Sequence, residues 1–271
     1  MKNYLTDILK TTTFAAVLCS SAAQAVIITL PVNVTIRDFH QSHADFQYAV
    51  SGLTTGMVED TLIGGVPVFK GDPGDGAVNN AATFATWYSG DCDSATPGTT
   101  CVESYDKIID ATVDTTTGKL TYNSSSFFPL DSITGTTGDG DSYNNHNYFF
   151  TVQFGLQLVY DPTLTNTFAF TGDDDVWVFI NDKLVMDLGG VHPAETGGFN
   201  MNDIAQAQGI KAGEEYSFDF FFAERHHSQS TLNITSYLGE PVSVSVPEPS
   251  SLAVFALGLI GLAGFGRRKK A

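Results

Sequence analysis

Hydrophobic and polar positions alternate through much of the chain, and alternation at every second residue predicts strands. The clearest run is residues 148–160, where Phe150, Val152, Phe154, Leu156 and Leu158 share one face and Phe149, Thr151, Gln153, Gly155 and Gln157 the other. The first face is wholly apolar, so it is expected to line a core. Residues 32–37 alternate too. Phe168 and Phe170, then Val176, Val178 and Ile180, place two strands on either side of residues 173–175. Asn181-Asp182 interrupts the apolar positions before Leu184, Val185 and Met186 resume them. Asn and Asp tolerate positive φ, so a tight hairpin is predicted there. Residues 216–223 and 232–238 read as a final pair of strands, and residues 119–122 and 126–130 as short extended pieces. Residues 71–101 and 135–147 are rich in Gly, Asp, Asn and Thr and read as long loops, the first pinned by Phe84, Trp87 and Tyr88. No strong helical period competes, so the mature chain is expected to be all-β.

Composition fits that picture: Gly 26, Phe 20 and Tyr 10 in 271 residues, with only 16% charged side chains, suit an exported, loop-rich protein. A net charge of −17 makes nucleic acid and anionic membrane surfaces poor partners and leaves cations and neutral polymers. The two ends read as processing signals. Lys2 and Lys10, the small apolar run 14–23 and Ala23-Gln24-Ala25 make residues 1–25 a secretory signal peptide. Cys19 follows Leu18, where a lipid-attachment motif needs a small residue, so lipidation is discounted. Cys92 and Cys101 remain, and in an oxidising compartment they are expected to close a small loop as a disulfide. At the other end Pro247-Glu248-Pro249 precedes an apolar run from Ser250 to Phe265 and then Arg267, Arg268, Lys269 and Lys270. Physically this is a short membrane segment with a basic stop, and at roughly sixteen residues it is marginal for a permanent transmembrane span.

The candidate chemistry centres on Asp173, Asp174 and Asp175, which sit at a strand entrance where a rigid scaffold presents loops. Adjacent carboxylates repel unless something positive compensates them, and calcium accepts carboxylates, carbonyls and waters in flexible geometry. The competing reading is a solvated acidic turn. Trp177 alternates with Val176 and Val178, so its indole either faces outward, where it would stack on a sugar, or packs against the opposite sheet. His40 and His43 have metal-like spacing with nothing nearby to complete a zinc site. Asp139 and Asp141 suggest an EF-hand loop, but Tyr143 occupies the next ligand position and no Glu closes the loop. Glu224 and Arg225 read as members of a satisfied ion-pair network. Asp187 and Glu224 could be imagined as a glycosidase pair, yet nothing fixes their separation and no nucleophile elbow or HExxH occurs; no catalytic residue is assigned and the chain is not expected to be an enzyme.

Two resemblances extend these readings. Residues 247–271, with Pro247-Glu248-Pro249, an apolar helix and a basic cluster, resemble the PEP-CTERM sorting signal. That resemblance implies recognition by an exosortase in a Gram-negative bacterium, passage through the inner membrane, removal of the tail near residues 247–249, and delivery to the cell surface or an exopolysaccharide matrix. The alternative is an ordinary tail anchor. Between the ends, Ile36-Arg37-Asp38-Phe39 with His43-Ala44-Asp45-Phe46, Trp87-Tyr88, Phe127-Phe128-Pro129-Leu130-Asp131, and His146-Asn147-Tyr148-Phe149-Phe150 form one series of motifs. The core GDDDVWVFIN at 172–181, DLGGVH at 187–192 and Phe222-Ala223-Glu224-Arg225-His226 complete it. In this order the pieces resemble the fibro-slime domain over residues 32–238. Asp182 and Ala44 depart from that pattern, as does the cysteine-bearing insert after Trp87.

The fibro-slime domain is similar to the protective-antigen-insert superfamily, which implies a jelly-roll-like antiparallel β-sandwich, followed here by a linker at 239–246 and the short C-terminal apolar helix. In adhesins of that superfamily an Asp-Asp pair joined by a cis peptide holds a calcium ion that binds sugar hydroxyls. Carried over, the pair corresponds to Asp173 and Asp174, with Asp175 replacing a small residue and Asn200 or Asn202 as a further oxygen. Two functions therefore compete: a calcium-dependent module that binds exopolysaccharide, and a structural matrix protein in which the cation only stiffens a loop.

Overall fold

The structure is a computed structural model that describes residues 26–46, 50–71, 77–96, 98–133, 143–239, 241 and 243–245. The signal peptide, the sorting segment with its apolar helix, and the loop carrying Asp139 and Asp141 lie outside the described residues. No described helix is long and apolar enough to cross a membrane.

The chain order is β1 (Ile27–Asp38), α1 (Ala81–Phe84), β2 (Glu103–Asp114), β3 (Lys119–Ser124), β4 (Phe150–Val159), β5 (Thr167–Asp173) and β6 (Asp175–Ile180). There follow β7 (Lys183–Leu188), β8 (Glu195–Asn200), α2 (Met201–Gln208), β9 (Glu215–Glu224), β10 (Thr231–Ser236) and β11 (Ser243–Ser245). Hydrogen bonding runs in the spatial order β7-β6-β9-β4-β1-β2-β3-β10-β5-β8, with β11 added to β4, and every pairing is antiparallel. The path folds into two layers, because β2 and β3 share only the pairs from Thr112↔Thr121 to Asp114↔Lys119 and the sheet turns there. One layer is β7-β6-β9-β4-β1-β2 and the other β3-β10-β5-β8. Side chains of β7 and β8 pack together at the far edge, which nearly closes the sandwich.

The predicted apolar faces make the core between the layers. Phe150, Val152, Leu156 and Leu158 of β4 meet Val176, Val178 and Ile180 of β6 and Phe218, Phe220 and Phe222 of β9 on one side. Phe168, Phe170, Leu232 and Ile234 face them from the other layer, with Phe168 and Phe218 ring centroids 5.2 Å apart. The β6–β7 hairpin forms as predicted, with Asn181 and Asp182 both at positive φ (46° and 65°).

The first layer is covered on its outer face as well. The segment between β1 and β2 lays Phe39, Phe46, Met57, Phe84, Trp87 and Tyr88 over Trp177, Phe179, Phe221 and Ala223. The disulfide between Cys92 and Cys101 closes the end of this cover, as expected. Because β6 is buried on both faces, all six of its residues are buried, which settles the open question about Trp177. Its indole is 0% exposed and donates from Nε1 to Asp187 Oδ1 at 2.9 Å, so it is a packed residue and not a sugar platform.

Three further differences have physical causes. The last two strands do not pair: β9 lies between β4 and β6, and β10 between β3 and β5. Strand β1 begins at Ile27, ahead of the alternating residues 32–37, and a short strand, β11, lies at Ser243–Ser245. β2 and β8 carry too little apolar alternation to have been read as strands. They are held by their neighbours, β2 against the whole length of β1 and β8 against β5.

Candidate functional site

Residues 173–175 are a corner of the fold. β5 belongs to one layer and β6 to the other, so the chain crosses between sheets at the three aspartates. Two further crossings lie beside it: β7 passes to β8 through residues 189–194, and β9 passes to β10 through residues 225–230. Backbone N–H groups that leave a ladder at such crossings need acceptors, and the carboxylates supply them.

Asp173 Oδ1 accepts from the Thr231 N–H at 2.5 Å. Asp174 Oδ1 accepts from His192 N–H at 3.1 Å and its Oδ2 from Arg225 N–H at 3.0 Å. Asp175 Oδ1 accepts from Gly190 N–H at 2.5 Å. Together the three side chains fasten all three crossings to one another. The Asp173–Asp174 peptide bond is cis, as the resemblance implies.

The three carboxylates are not equivalent. Asp175 is fully buried and forms a two-point ion pair with Arg225, from Nε to Oδ2 at 2.6 Å and from Nη2 to Oδ1 at 3.1 Å. The same guanidinium donates from Nη1 to the carbonyls of Asp45 and Ala77 and lies 4.7 Å over the Trp87 ring. Asp175 thus has its counter-charge in the protein and is not free to act as the third metal ligand expected of it. Arg225 sits in the ion-pair network read from the sequence, but its partner is Asp175 and not Glu224.

Asp173, Asp174 and Glu224 have no such partner. All three are buried, at 2%, 4% and 1% exposure. Asp173 Oδ2 and Glu224 Oε2 find no donor among the described residues, while the Glu224 carboxyl is met by the His226 N–H at 3.4 Å and by Ser230. Burial raises the Asp173 carboxyl above its usual range, opposed by the Thr231 N–H. Burial pushes Asp174 up to about 8, against the pull of Arg225 and helped by the charge of Asp175. Glu224 is driven well above the ordinary range, first by burial and then by the charges of Asp174 and Asp173. A buried carboxylate oxygen with no donor is costly, so this corner is short of positive charge.

That shortage suits a hard cation. The donors are all oxygens, which favours calcium over zinc. Among the described residues no three His, Cys, Asp or Glu side chains converge as a metal-holding group. A cation here would therefore take a minority of its ligands from carboxylates and the rest from carbonyls and water, as calcium's larger shell permits. Asp174 also forms part of a small pocket of about 60 Å³, between Val191, His192 and Pro193 on one side and His226, Ser228 and Gln229 on the other.

The remaining sequence candidates lie elsewhere. Asn200 pairs with Thr167 at the opposite end of β5 from Asp173. The two ends of this seven-residue strand are six steps apart, about 20 Å. Asn200 Oδ1 caps α2 through the Asn202 N–H at 2.8 Å, and Asn202 Oδ1 accepts from Tyr160 Oη and Asn166 Nδ2. Neither is a ligand of the acidic corner. His43 is buried against Thr86, and His40 bonds Ser42, so they form no zinc pair. Asp187 accepts from Trp177 Nε1 and from the N–H groups of Gly56 and Gly189, a structural role. Glu224 is the site residue that sequence reading undervalued. Its signal was a carboxylate directly after the apolar run 220–223.

Residues 129–247 match the PA14 domain, and residues 245–270 match the PEP-CTERM protein-sorting motif. Protein psiD of Dictyostelium discoideum is 34% identical over 226 residues, covering 78% of this chain and 42% of that protein. Protein psiB of the same organism is 35% identical over 251 residues, covering 86% and 43%. The chain thus spans less than half the length of these relatives. Among solved structures, the PA14 sugar-binding domain from an RTX adhesin is 12% identical with a TM-score of 0.26, covering 48% of this chain and 76% of that one.

Proposed function

We propose that this chain, a PA14-domain protein carrying a PEP-CTERM sorting motif, is exported to the surface of a Gram-negative bacterium and binds exopolysaccharide through a calcium ion held by Asp173 and Asp174. The sorting motif supports exosortase recognition at Pro247-Glu248-Pro249 and removal of the tail. The observation that carries the binding reading is the buried oxygen of Asp173 that has no donor, next to Asp174 at a pocket open to solvent. Calcium, when bound, would supply a positive centre that accepts sugar hydroxyls as ligands. The chain's own part is to hold two carboxylates rigidly, through the Thr231, His192 and Arg225 N–H groups, and to keep Asp175 neutralised by Arg225. Glu224, whose carboxyl burial holds well above the ordinary range, stands behind the pair as a further buried oxygen side chain.

Calorimetric titration of calcium into the chelator-treated full-length protein tests this, with Asp174→Asn as the comparison and a glycan array read with and without calcium. Calcium uptake lost in Asp174→Asn, together with calcium-dependent glycan binding, is the expected result. Absence of calcium uptake by the wild type would refute the site. Uptake that raises the melting temperature without glycan binding would favour the stiffening cation of a matrix protein instead.

A further inference from the structure

The pocket beside Asp174 continues into a row of rings. His226 lines the pocket and stacks on His227 with centroids 4.5 Å apart and planes inclined by 23°. Tyr143 lies a further 4.5 Å from His227, inclined by 48°, and is 48% exposed although it is a large aromatic side chain. Val50, 60% exposed, stands on the pocket's wall. The pocket that Asp174 lines is therefore continuous with a row of three rings.

We infer that Tyr143, backed by the stacked pair His227 and His226, offers its exposed side as a stacking platform for a second sugar unit, so that the site takes an oligosaccharide and not a single sugar. This rests on the glycan-binding reading above. A pyranose ring presents a face of C–H groups to an aromatic surface while its hydroxyls stay at the edge, in water or on a cation. Tyrosine suits that role because it offers a rigid apolar face with a polar tip.

The platform is built in advance of any ligand. Tyr143 and His146 exchange backbone hydrogen bonds of 2.9 and 3.0 Å across a turn whose central residues, Asn144 and Asn145, have φ of 52° and 65°. His146 is fixed by Asp131 at 2.6 Å and by stacking on Phe128 at 4.1 Å. On the pocket side, His226 Nδ1 is 2.9 Å from Ser228 Oγ, which sets the ring's orientation. Rings held this way lose little freedom when a ligand arrives.

The test compares full-length wild type, Tyr143→Ala and Tyr143→Phe on an array of single sugars and oligosaccharides in calcium, with calcium affinity measured in parallel. Tyr143→Ala is expected to weaken oligosaccharide binding about tenfold. Single-sugar binding and calcium affinity should stay unchanged, and Tyr143→Phe should keep full binding. Wild-type oligosaccharide binding by Tyr143→Ala, or an equal loss for single sugars, would overturn the platform. A wild type that takes up calcium but binds no glycan would sink the glycan reading itself, and the platform with it.

Discussion

Replacing Arg225 by Met tests whether the acidic corner is organised as described. Arg225 is fully buried, pairs with Asp175 through two hydrogen bonds, and donates to the carbonyls of Asp45 and Ala77. Its removal leaves Asp175 as an uncompensated buried charge, which costs about 3–5 kcal/mol. Two carbonyls losing their donor add about 1–3 kcal/mol each, while the methionine stem keeps part of the packing on Trp87. The lower ends of these ranges already sum to about 5 kcal/mol, a large share of the ~5–15 kcal/mol that holds a typical domain. Urea unfolding followed by tryptophan fluorescence would measure it in Arg225→Met, Asp175→Asn and the double variant. The double variant should be more stable than the sum of the single losses implies, by about 3 kcal/mol, because neither charge is then stranded. A single-variant loss under about 1.5 kcal/mol, or simple additivity, would refute the ion pair as the structural member of the triplet.

Two other outcomes are expected. Burial raises the Asp219 carboxyl to about 6, with Ser217 opposing and Asp182 adding. A raised carboxylate destabilises the fold as pH climbs from its unfolded value through the folded one, so Asp219→Asn should be more stable than wild type above pH ~6, on the order of 2 kcal/mol. That gain should vanish below pH ~4, and urea midpoints at the two ends of the range would show it; a gain independent of pH would contradict the assignment. Trp177→Phe should lose about 1.5–3 kcal/mol through the severed bond to Asp187 with glycan binding intact, and lost glycan binding in a stably folded variant would restore the indole as a sugar contact.

Much of the fold was legible because it depends on local alternation. β4 announced its core face, and the Asn181-Asp182 hairpin followed from residues that tolerate positive φ. Strand β2 was missed because its outward positions include Ile108, 63% exposed, beside Asp106 and Asp110, which blurs the alternation. Trp177 was undecidable by period alone, since alternation gives the face of a strand but not what covers it. The cover comes from residues 39–101, far away in sequence. Asn200 and Asn202 were misplaced for a related reason: nearness to the triplet along the chain says nothing about which end of β5 they reach. The partner of Arg225 lies 50 residues away, across β6 and β9, and only the register Asp175↔Ala223 makes the pairing visible.

The division of labour within the triplet follows from its place at a corner. In a continuous strand, successive side chains would point to opposite faces, and three aspartates could not all be buried without burying like charges together. At a crossing between layers each side chain meets a different element: Asp173 meets β10, Asp174 meets the turns after β7 and β9, and Asp175 meets the guanidinium of Arg225. Neutral backbone donors anchor Asp173 and Asp174 without supplying a counter-charge, whereas Asp175 has one in Arg225. Stability and binding should therefore separate within three adjacent residues. Loss of Asp175 strands a buried arginine and weakens the fold, while Asp174 has no salt-bridge partner to strand, so its loss is felt mainly by a bound cation.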